Sequence, residues 1–369
     1  MGKILVLSAV TDDCYTRNSG YILKNYLADV QAGLDKYATL TGADKRAYLL
    51  PEGSDTYGIE GDIYYGISNL TGDNPYSVAQ NMEGKLPRPM IQDGYTAMFK
   101  GDEVCVLTPE AARWIAVGAD VKTITVNAKG NSEVKEVKIG TALSDVIDAS
   151  GAKAVLVGGL KGEFVKPESL ASMQVGADFN SSSLTVVGAD ECIVDFIVKH
   201  FNNAWVNSCG KCVLCREGTL QYKTMCEDIV AGKAKMTDID LMKDVGGLIE
   251  IGAYCPYGQN MPRPLLSALE LFAGEFEDHI KRKKCPANIC YKKAAPYVIL
   301  PDLCTGCTDC VDECEESAIM SKKGFIHIID QDMCEQCGAC VDSCDEGAIV
   351  QVEGKMPKLP KKLVRVGKF

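Results

Sequence analysis

The chain has 369 residues, of which 46% are hydrophobic and 24% are charged, and its formal net charge is −11. This composition is ordinary for a globular protein of roughly two to four domains; the acidic balance argues against a nucleic-acid groove, and no apolar run is long enough for a membrane helix. Eighteen cysteines are too many for an ordinary cytosolic enzyme, and their C-x2-C spacing is unlike a secreted disulfide framework. They indicate thiolates that hold metal in a reducing cytoplasm.

The first 190 residues are interpreted as a scaffold, because only Cys14 and Cys105 fall within them. The apolar run at 4–7 predicts a first β-strand rather than a signal peptide, since the run is short and no clean cleavage site follows it. Apolar residues at helical spacing over 21–40 predict a helix. Residues 1–115 are therefore expected to form an α/β domain.

The pattern changes after residue 115. Two alternating stretches, VKTITVNAKG and EVKEVKIG, surround a Lys-Gly turn and predict strands, whereas TALSDVIDAS predicts one helix and AVLVGG another strand. A small β-grasp domain over 116–190 is the simplest interpretation. Residues 191–283 are helix-rich, 284–298 form a linker, 299–352 contain an internal repeat, and 353–369 form a basic tail, of which 354–369 carry six positive charges and no acid. That tail is expected either to lie on an acidic partner or to be disordered.

The helix-rich segment contains the stretch SCGKCVLCREG at 208–218. Its three cysteines, Cys209, Cys212 and Cys215, need a fourth ligand, and the best candidate is Cys255 in IGAYCPYGQ. Spacing alone leaves both an iron–sulfur cluster and a zinc ion open. Cys226 lies at helical spacing in LQYKTMCEDIV and is predicted to be a core thiol.

A second constellation surrounds the end of this segment. His279, Cys285 and Cys290 lie within twelve residues of one another, and Cys192 is a candidate fourth ligand. One histidine and three cysteines suit a structural zinc ion, which takes four nitrogen or sulfur ligands. The alternative is a pair of reduced core thiols beside a surface histidine.

Residues 299–352 contain two copies of C-x2-C-x2-C-x3-C, thirty residues apart, which is the run of bacterial two-cluster ferredoxins. In that arrangement the first three cysteines of a run bind one cluster and the fourth binds the other. The prediction is two [4Fe–4S] clusters, and a zinc ribbon is the alternative. The predicted ligand sets are Cys304, Cys307, Cys310 and Cys344 for one cluster, and Cys334, Cys337, Cys340 and Cys314 for the other.

The surroundings of the repeat are acidic. Glu315 and Asp345 follow the fourth cysteines, where proline is usual, and the segment holds twelve acidic residues against two lysines. Negative charge near a cluster disfavours an added electron, so low reduction potentials are expected. A solvated acidic surface is the plainer interpretation of the same charges.

The stretches SCGKCVLCREGT and YCPYGQNMPRPL resemble the NuoF-type, flavin-carrying subunit of respiratory complex I and the β-subunit of electron-bifurcating hydrogenases. The resemblance covers about residues 3–350. It implies a multidomain α/β and α+β fold: a flavin-type domain, an SLBB-like β-grasp domain, a helical bundle and a two-cluster ferredoxin domain. It also implies that Cys209, Cys212, Cys215 and Cys255 hold a [4Fe–4S] cluster.

The family's flavin site is expected to be degenerate. The family's glycine-rich loop, which resembles GRGGAGFPTG, has no counterpart in this sequence. The nearest glycine cluster, VGGLKGE at 157–163, is predicted to be a turn. In the expected alignment, the chain begins where the loop should already have ended. The strand that follows the loop in the family is here KILVLSAVTDDCYTRNS, in which Ser8 to Tyr15 replace the cofactor-facing run. Residues 72–78 stand where the family has CGEETAL, and Pro75 occupies the position of the second glutamate. The stretch EGKLPRP, which follows, is similar to the family's connecting segment. FMN and NAD are therefore predicted to be absent, and a different flavin or a partner's loop in the remnant cleft is the alternative.

These features predict an electron-transfer subunit of a cytoplasmic, multi-subunit oxidoreductase from an anaerobe. Three [4Fe–4S] clusters would relay electrons between a flavoprotein that handles NAD(P)H and either ferredoxin or a second catalytic subunit, with electron bifurcation open. No residue is proposed as acid, base or nucleophile. The alternatives are an NADH:ferredoxin diaphorase with its own flavin, and a mainly structural docking subunit.

Overall fold

The structure of the protein is a computed structural model, in which the chain divides into two compact units, residues 1–291 and 292–369. Each unit is described by itself. The residues that the structure describes are 2–11, 13–67, 72–86, 96–176, 182–290, 296–331, 333–334, 336–352 and 356–369.

The larger unit begins with a mostly parallel sheet. Its elements are β1 (Lys3–Ser8), α1 (Asn18–Thr41), β2 (Lys45–Pro51), β3 (Ile63–Gly66), α2 (Pro75–Met82), β4 (Met98–Phe99), β5 (Asp102–Leu107) and α3 (Pro109–Val117). The strand order is β3-β2-β1-β5-β4, and β1 pairs in parallel with β2 and β5. Leu5 and Leu7 pack with α1 on one face, whereas Ile4 and Val6 pack with α2 on the other, because successive side chains of a strand point to opposite faces. The predicted strand at 4–7 and helix at 21–40 are both present.

A second five-stranded sheet follows. Its elements are β6 (Val121–Ala128), β7 (Asn131–Lys138), α4 (Leu143–Val146), β8 (Ala152–Val157), β9 (Glu163–Val165) and β10 (Ser183–Gly188). The order is β7-β6-β10-β8-β9, with β10 parallel to β6 and antiparallel to β8. The glycine run at 157–163 forms a short 3-10 turn at Gly159–Lys161.

The predicted helix over TALSDVIDAS is wrong for most of its length. Only Leu143–Val146 is helical, and Ile147 is already extended with φ −130°. The Asp148 carboxylate accepts a hydrogen bond from the Ser150 N–H at 2.9 Å. A local side-chain bond of this kind competes with the helix ladder, and the β-branched Ile147 adds to the preference for extended backbone.

Six helices complete the larger unit: α5 (Ile193–Val206), α6 (Val213–Val230), α7 (Thr237–Gly252), α8 (Pro256–Asn260), α9 (Arg263–Leu271) and α10 (Ala273–Arg282). Phe201, Tyr222 and Tyr257 are almost completely buried between these helices. The same core includes Ala154 and Leu156 of β8, so the bundle packs against the second sheet. Within the described residues, no helix is both long and apolar enough to cross a lipid bilayer.

The smaller unit is built from short elements in two similar halves. They are β11 (Tyr297–Ile299), α11 (Asp309–Asp312), β12 (Ile319–Met320), β13 (Phe325–Ile326), β14 (Ile328–Ile329), α12 (Ala339–Asp342), β15 (Ile349–Gln351) and β16 (Val364–Arg365). Strand β11 pairs with β15, and β12 pairs with β14, all antiparallel. Strand β16 lies in the basic tail and pairs with β13. The tail is thus partly ordered on its own unit, contrary to the expectation of a wholly disordered tail.

Candidate metal centres

The starts of two helices position the bundle cysteines. Cys212 is the N-cap of α6, Cys215 lies in the first turn of that helix, and Cys255 comes directly before Pro256 at the start of α8. Cys209 lies in the loop between α5 and α6. The structure brings all four together, because Cys215 interacts electrostatically with Cys255 and Cys212, and Cys255 interacts with Cys209.

The surroundings of these thiols suit bound iron or zinc. Burial raises the pKa of Cys215 to about 11, against a smaller lowering effect of a hydrogen bond with Ser208, and burial also raises the pKa of Cys209 and Cys255. Bare thiols would therefore stay protonated at neutral pH, whereas a metal ion stabilises the thiolate form. A Cβ atom at Gly258 would lie 3.2 Å from the Cys215 Sγ atom, so the glycine leaves space beside that sulfur.

The second constellation is a compact set of four ligand atoms. The Sγ atoms of Cys192, Cys285 and Cys290 and a ring nitrogen of His279 all lie within 4.8 Å of one another. The Cys192 Sγ atom is 3.3 Å from both the His279 Nε2 atom and the Cys290 Sγ atom. Ligands at about 2.0–2.3 Å from a tetrahedral zinc ion lie roughly 3.5 Å apart, so this set fits one mononuclear ion.

His279 is held in place from the other side of its ring. Its Nδ1 atom lies 2.7 Å from the Glu275 carbonyl oxygen in α10, so that nitrogen carries the proton and Nε2 is left to face the sulfurs. The side chain is completely buried. The alternative of a surface histidine is therefore wrong, and the prediction of zinc itself stays a prediction.

The smaller unit contains two cavities, and each is lined by four cysteines. We call them the first and the second cavity, with volumes of about 130 and 300 Å³. The first cavity is lined by Cys304, Cys307, Cys310 and Cys344. The second cavity is lined by Cys314, Cys334, Cys337 and Cys340. The fourth cysteine of each run thus lies with the first three of the other run, and these donor sets fit two cubane clusters.

Hydrogen bonds reach the sulfurs of both cavities. The Ala348 N–H donates to the Cys344 Sγ atom and the Ala318 N–H donates to the Cys314 Sγ atom, both at 3.3 Å. The first cavity has a further neighbour, His327, whose Nδ1 atom lies 3.4 Å from the Cys310 Sγ atom. Burial lowers the pKa of His327, against a smaller opposing effect of the Lys322 backbone.

His327 was not identified from the sequence. The available signal is a break in the internal repeat, since the residue thirty positions later is Pro357. Asp332 and Glu335, two of the twelve acidic residues counted in the repeat segment, lie outside the described residues.

The polar segment after β1 packs against the second sheet. The Asp13 carboxylate accepts hydrogen bonds from the Ser183 hydroxyl at 2.7 Å and from the Leu160 N–H at 3.2 Å. The Thr125 hydroxyl donates to the Asn18 side-chain oxygen at 2.6 Å. Asp13 falls in the run from Ser8 to Tyr15 that is expected to replace the cofactor-facing run of the resembled family. These contacts support the prediction of a degenerate site, which stays a prediction.

The other rewritten stretch also packs on this region. A Cβ atom at Gly72 would lie 2.1 Å from the Val10 carbonyl oxygen, so the two backbones are in close contact. Two polar cavities of about 220 and 270 Å³ remain beside Thr11 and Thr16, near the carboxyl end of β1. Asp12 and the last three residues of EGKLPRP, 87–89, lie outside the described residues.

Two regions that match known protein families contain the four bundle cysteines and the eight cysteines of the smaller unit. Residues 195–279 match the NADH-ubiquinone oxidoreductase-F iron-sulfur binding region, and residues 303–349 match a 4Fe-4S dicluster domain. The chain is 29% identical over 323 residues to the NADP-reducing hydrogenase subunit HndC of Solidesulfovibrio fructosivorans, which covers 76% of this chain and 64% of that protein. It is 32% identical over 111 residues to the F-type subunit of the NADH-quinone oxidoreductase of Streptomyces coelicolor, which covers 30% of this chain and 25% of that protein.

The fold is similar to that of a solved hydrogenase chain. A chain of the NAD+-reducing [NiFe]-hydrogenase in its H2-reduced state superposes with a TM-score of 0.68 at 21% sequence identity, over 78% of this chain and 58% of that chain. This chain thus spans roughly three-fifths of the length of HndC and of the hydrogenase chain. The chain thus has a region similar to the F-type iron–sulfur binding region, followed by a region similar to a 4Fe–4S dicluster domain, and it is similar to the NuoF-type relatives named here.

Proposed function

We propose that this chain is an iron–sulfur electron-transfer subunit of a cytoplasmic oxidoreductase complex linked to NAD(P)H and ferredoxin. The observation that carries the proposal is the convergence of twelve cysteines into three sets of four, two of which line separate cavities of one dicluster domain. When bound, [4Fe–4S] clusters supply one-electron transfer at low potential. The chain supplies thiolate ligands, burial and hydrogen bonds to the sulfurs.

The partners follow from the named relatives. HndC is a subunit of an NADP-reducing hydrogenase, and the HoxS subunit alpha of Cupriavidus necator, 28% identical over 158 residues, belongs to an NAD-reducing hydrogenase. By analogy, a flavoprotein that handles NAD(P)H delivers electrons to this chain, and ferredoxin or a second catalytic subunit accepts them. Whether the complex bifurcates electrons depends on that flavoprotein.

Absence of FMN and NAD from this chain is part of the proposal. It is supported by the hydrogen bonds of Asp13 and Asn18 to Ser183 and Thr125 of the second sheet, which engage side chains that also line the two cavities near Thr11 and Thr16. A diaphorase with its own flavin is the second candidate. The two polar cavities near Thr11 and Thr16 favour it, because ligands of parallel sheets bind at the carboxyl ends of the strands.

A structural zinc ion at Cys192, His279, Cys285 and Cys290 completes the proposal. Cys192 is the N-cap of α5, His279 lies in α10, and the other two cysteines follow α10. A bound ion would therefore connect the beginning and the end of the helical bundle. Its role is to hold the bundle together, and electron transfer does not pass through it.

The test is a metal and flavin analysis of the full chain after anaerobic reconstitution with iron and sulfide. We expect about twelve irons per chain, four for each cubane, together with about one zinc ion and no stoichiometric flavin. Stoichiometric FMN or FAD with NADH oxidation would support the diaphorase instead. Far fewer than twelve irons would contradict the relay.

The zinc ion is tested with a matched pair of variants. Cys285→Ala is expected to lose about one zinc ion per chain, whereas Cys226→Ala is expected to keep it. Cys226 is completely buried and is not in the set of four, so its removal controls for loss of a core thiol. Equal zinc content in both variants would exclude this site.

A further inference from the structure

His327 is the histidine of the ferredoxin-type unit and lies at the wall of the first cavity. It falls between β13 and β14, is 1% exposed, and lines that cavity together with Cys304 and Cys310. Its Nδ1 atom is 3.4 Å from the Cys310 Sγ atom, within the range of a hydrogen bond to sulfur. The side chain therefore touches a predicted cluster ligand and not only the core.

The direction of this hydrogen bond follows from the chemistry of the two groups. A thiolate that binds iron has no proton and can only accept, so the Nδ1 atom must carry the proton and donate it. The Nε2 atom is buried, and among the described residues it has no hydrogen-bond partner of ordinary geometry. The ring is thus suited to a single N–H···S bond.

The two cavities share a backbone hydrogen bond to sulfur and an acidic lining, although their volumes differ. In each cavity, a backbone N–H donates at 3.3 Å to the sulfur of the cysteine that comes from the other run, Cys344 in the first cavity and Cys314 in the second. Each is also lined by three carboxylates: Asp309, Asp345 and Glu346 at the first, and Glu313, Glu315 and Glu316 at the second. The described residues around the second cavity include no histidine. His327 is therefore an imidazole beside a cysteine sulfur that has no counterpart among the described residues of the second cavity, which differs in addition by Tyr297 and Gln336.

The loop of the first run is shaped to bring this histidine close. A Cβ atom at Gly306 would lie 2.8 Å from the backbone nitrogen and oxygen of Phe325, two residues before His327. The Gly324 N–H donates to the Gly306 carbonyl at 3.0 Å. The corresponding residue of the second run is Gln336, whose side chain is incompatible with so close an approach.

We propose that His327 is a positioning residue that raises the reduction potential of the cluster in the first cavity through its hydrogen bond to the Cys310 sulfur. The inference rests on the proposed ligand sets. An added electron makes the cluster sulfurs more negative, and a fixed N–H donor stabilises that reduced form more than the oxidised form. No bond to His327 forms or breaks, and its proton stays on Nδ1.

The test is an anaerobic redox titration of the reconstituted full chain, followed by electron paramagnetic resonance, with two variants at this position. His327→Leu removes the donor, whereas His327→Asn keeps an N–H group near the Nδ1 position. In His327→Leu we expect the reduced-to-oxidised ratio of one ferredoxin-type cluster to fall about tenfold at a given potential, a shift of about 59 mV for a one-electron couple. The other cluster should keep its midpoint, and His327→Asn should restore most of the shift. No shift, equal shifts of both clusters, or an equal shift in both variants would overturn the proposal.

A measurement on the unaltered chain covers the case in which a variant does not fold. With 15N-labelled histidine, pulsed electron paramagnetic resonance of the reduced protein is expected to show nitrogen coupling on one ferredoxin-type signal. Coupling on neither signal or on both would overturn the proposal. Iron analysis separates this result from a failure of the proposed function, because a chain that binds no clusters gives no signals at all and would overturn both.

Discussion

At the scale of single residues, burial decides the protonation of His200. The ring is completely buried in the bundle, its Nε2 atom lies 3.2 Å from the Leu160 carbonyl, and its Nδ1 atom lies 3.1 Å from the Tyr15 hydroxyl. The carbonyl can only accept, so Nε2 carries the proton and Nδ1 accepts from Tyr15. Burial lowers the pKa of His200 to about 4, against a smaller raising effect of the Leu160 bond.

This shift predicts that acid destabilises the larger unit. The unfolded chain takes up a proton at His200 near pH 6.5, whereas the folded chain does so only near pH 4, so stability is present above pH 6.5 and is lost as the pH falls toward 4. From about pH 7 to about pH 5.5 the free energy of unfolding should fall by about 1 kcal/mol on account of His200. Urea unfolding of the full chain and of its His200→Gln variant, compared between about pH 7 and about pH 5.5, measures the contribution of His200 to the free energy of unfolding.

The His200→Gln variant is expected to be less stable at neutral pH and to show a flatter pH dependence, because glutamine keeps a donor and an acceptor without titrating. Equal slopes in the two proteins would mean that His200 does not bind the proton on unfolding.

The structure groups the cysteines in the sets that the sequence suggested, while their role as cluster ligands stays a prediction, and the sequence analysis missed two histidines. The spacing of Cys304, Cys307 and Cys310 is local, so it is visible in the sequence. The roles of His200 and His327 depend on burial among residues far away in the chain. No local pattern distinguishes them from surface histidines.

At the scale of elements, Gly306 and Gly324 have similar backbone conformations but different surroundings. Gly306 and Gly324 both have positive φ, +72° and +77°; Gly306 lies in the loop of the first cysteine run, and Gly324 directly precedes β13. A Cβ atom at Gly306 would meet the Phe325 backbone at 2.8 Å, whereas a Cβ atom at Gly324 would meet nothing within 4 Å. The pair therefore separates the effect of close packing from that of the left-handed conformation.

We expect Gly306→Ala to destabilise the ferredoxin-type unit more than Gly324→Ala. Both alanines are strained by about 1 kcal/mol in the left-handed region, but only the first must also displace β13 from the loop of the first run. Thermal unfolding and iron retention of the full chain, measured side by side, check this. Equal losses in the two variants would contradict the role assigned to the contact.

Predictions of elements were most accurate where the pattern was long. The helix over 21–40 and the strands around the Lys-Gly turn occur as expected. The helix over TALSDVIDAS did not form beyond Val146, because the Asp148 side chain closes a local turn. The pairing of β16 with β13 could not be predicted, since it joins a tail without periodicity to a two-residue strand.

At the scale of the whole molecule, the chain consists of two compact units that meet in sequence at residues 291 and 292. The two cavities with their eight cysteines belong to the smaller unit, and the four bundle cysteines belong to the larger. Each unit has its own core. Loss of metal in one is therefore expected to loosen that unit first.

We predict that Cys304→Ala combined with Cys334→Ala accelerates amide hydrogen exchange within 296–352 and leaves the strands of the larger unit protected. Each substitution removes one proposed ligand from one proposed cluster, and metal binding contributes directly to the folding of the unit that holds it. Hydrogen exchange with mass spectrometry of the full chain resolves the two regions. Cys226→Ala is the control, because it removes a buried thiol from the larger unit and should act there alone. Loss of protection in β1 and α5 of the double variant would show that the units unfold together.

The sequence by itself determined the three groups of cysteines, the repeat of the ferredoxin-type domain and the mixed α/β character of the first part. Each of these is a local signal, because ligands in one loop and alternating strand residues are neighbours along the chain. Only the tertiary structure decided that Cys192 lies 3.3 Å from His279, eighty-seven positions away, that Asp13 binds the second sheet, and that His327 reaches one cavity and not the other. Such contacts depend on which surfaces are buried against each other, and burial is a property of the folded chain rather than of any short stretch of it.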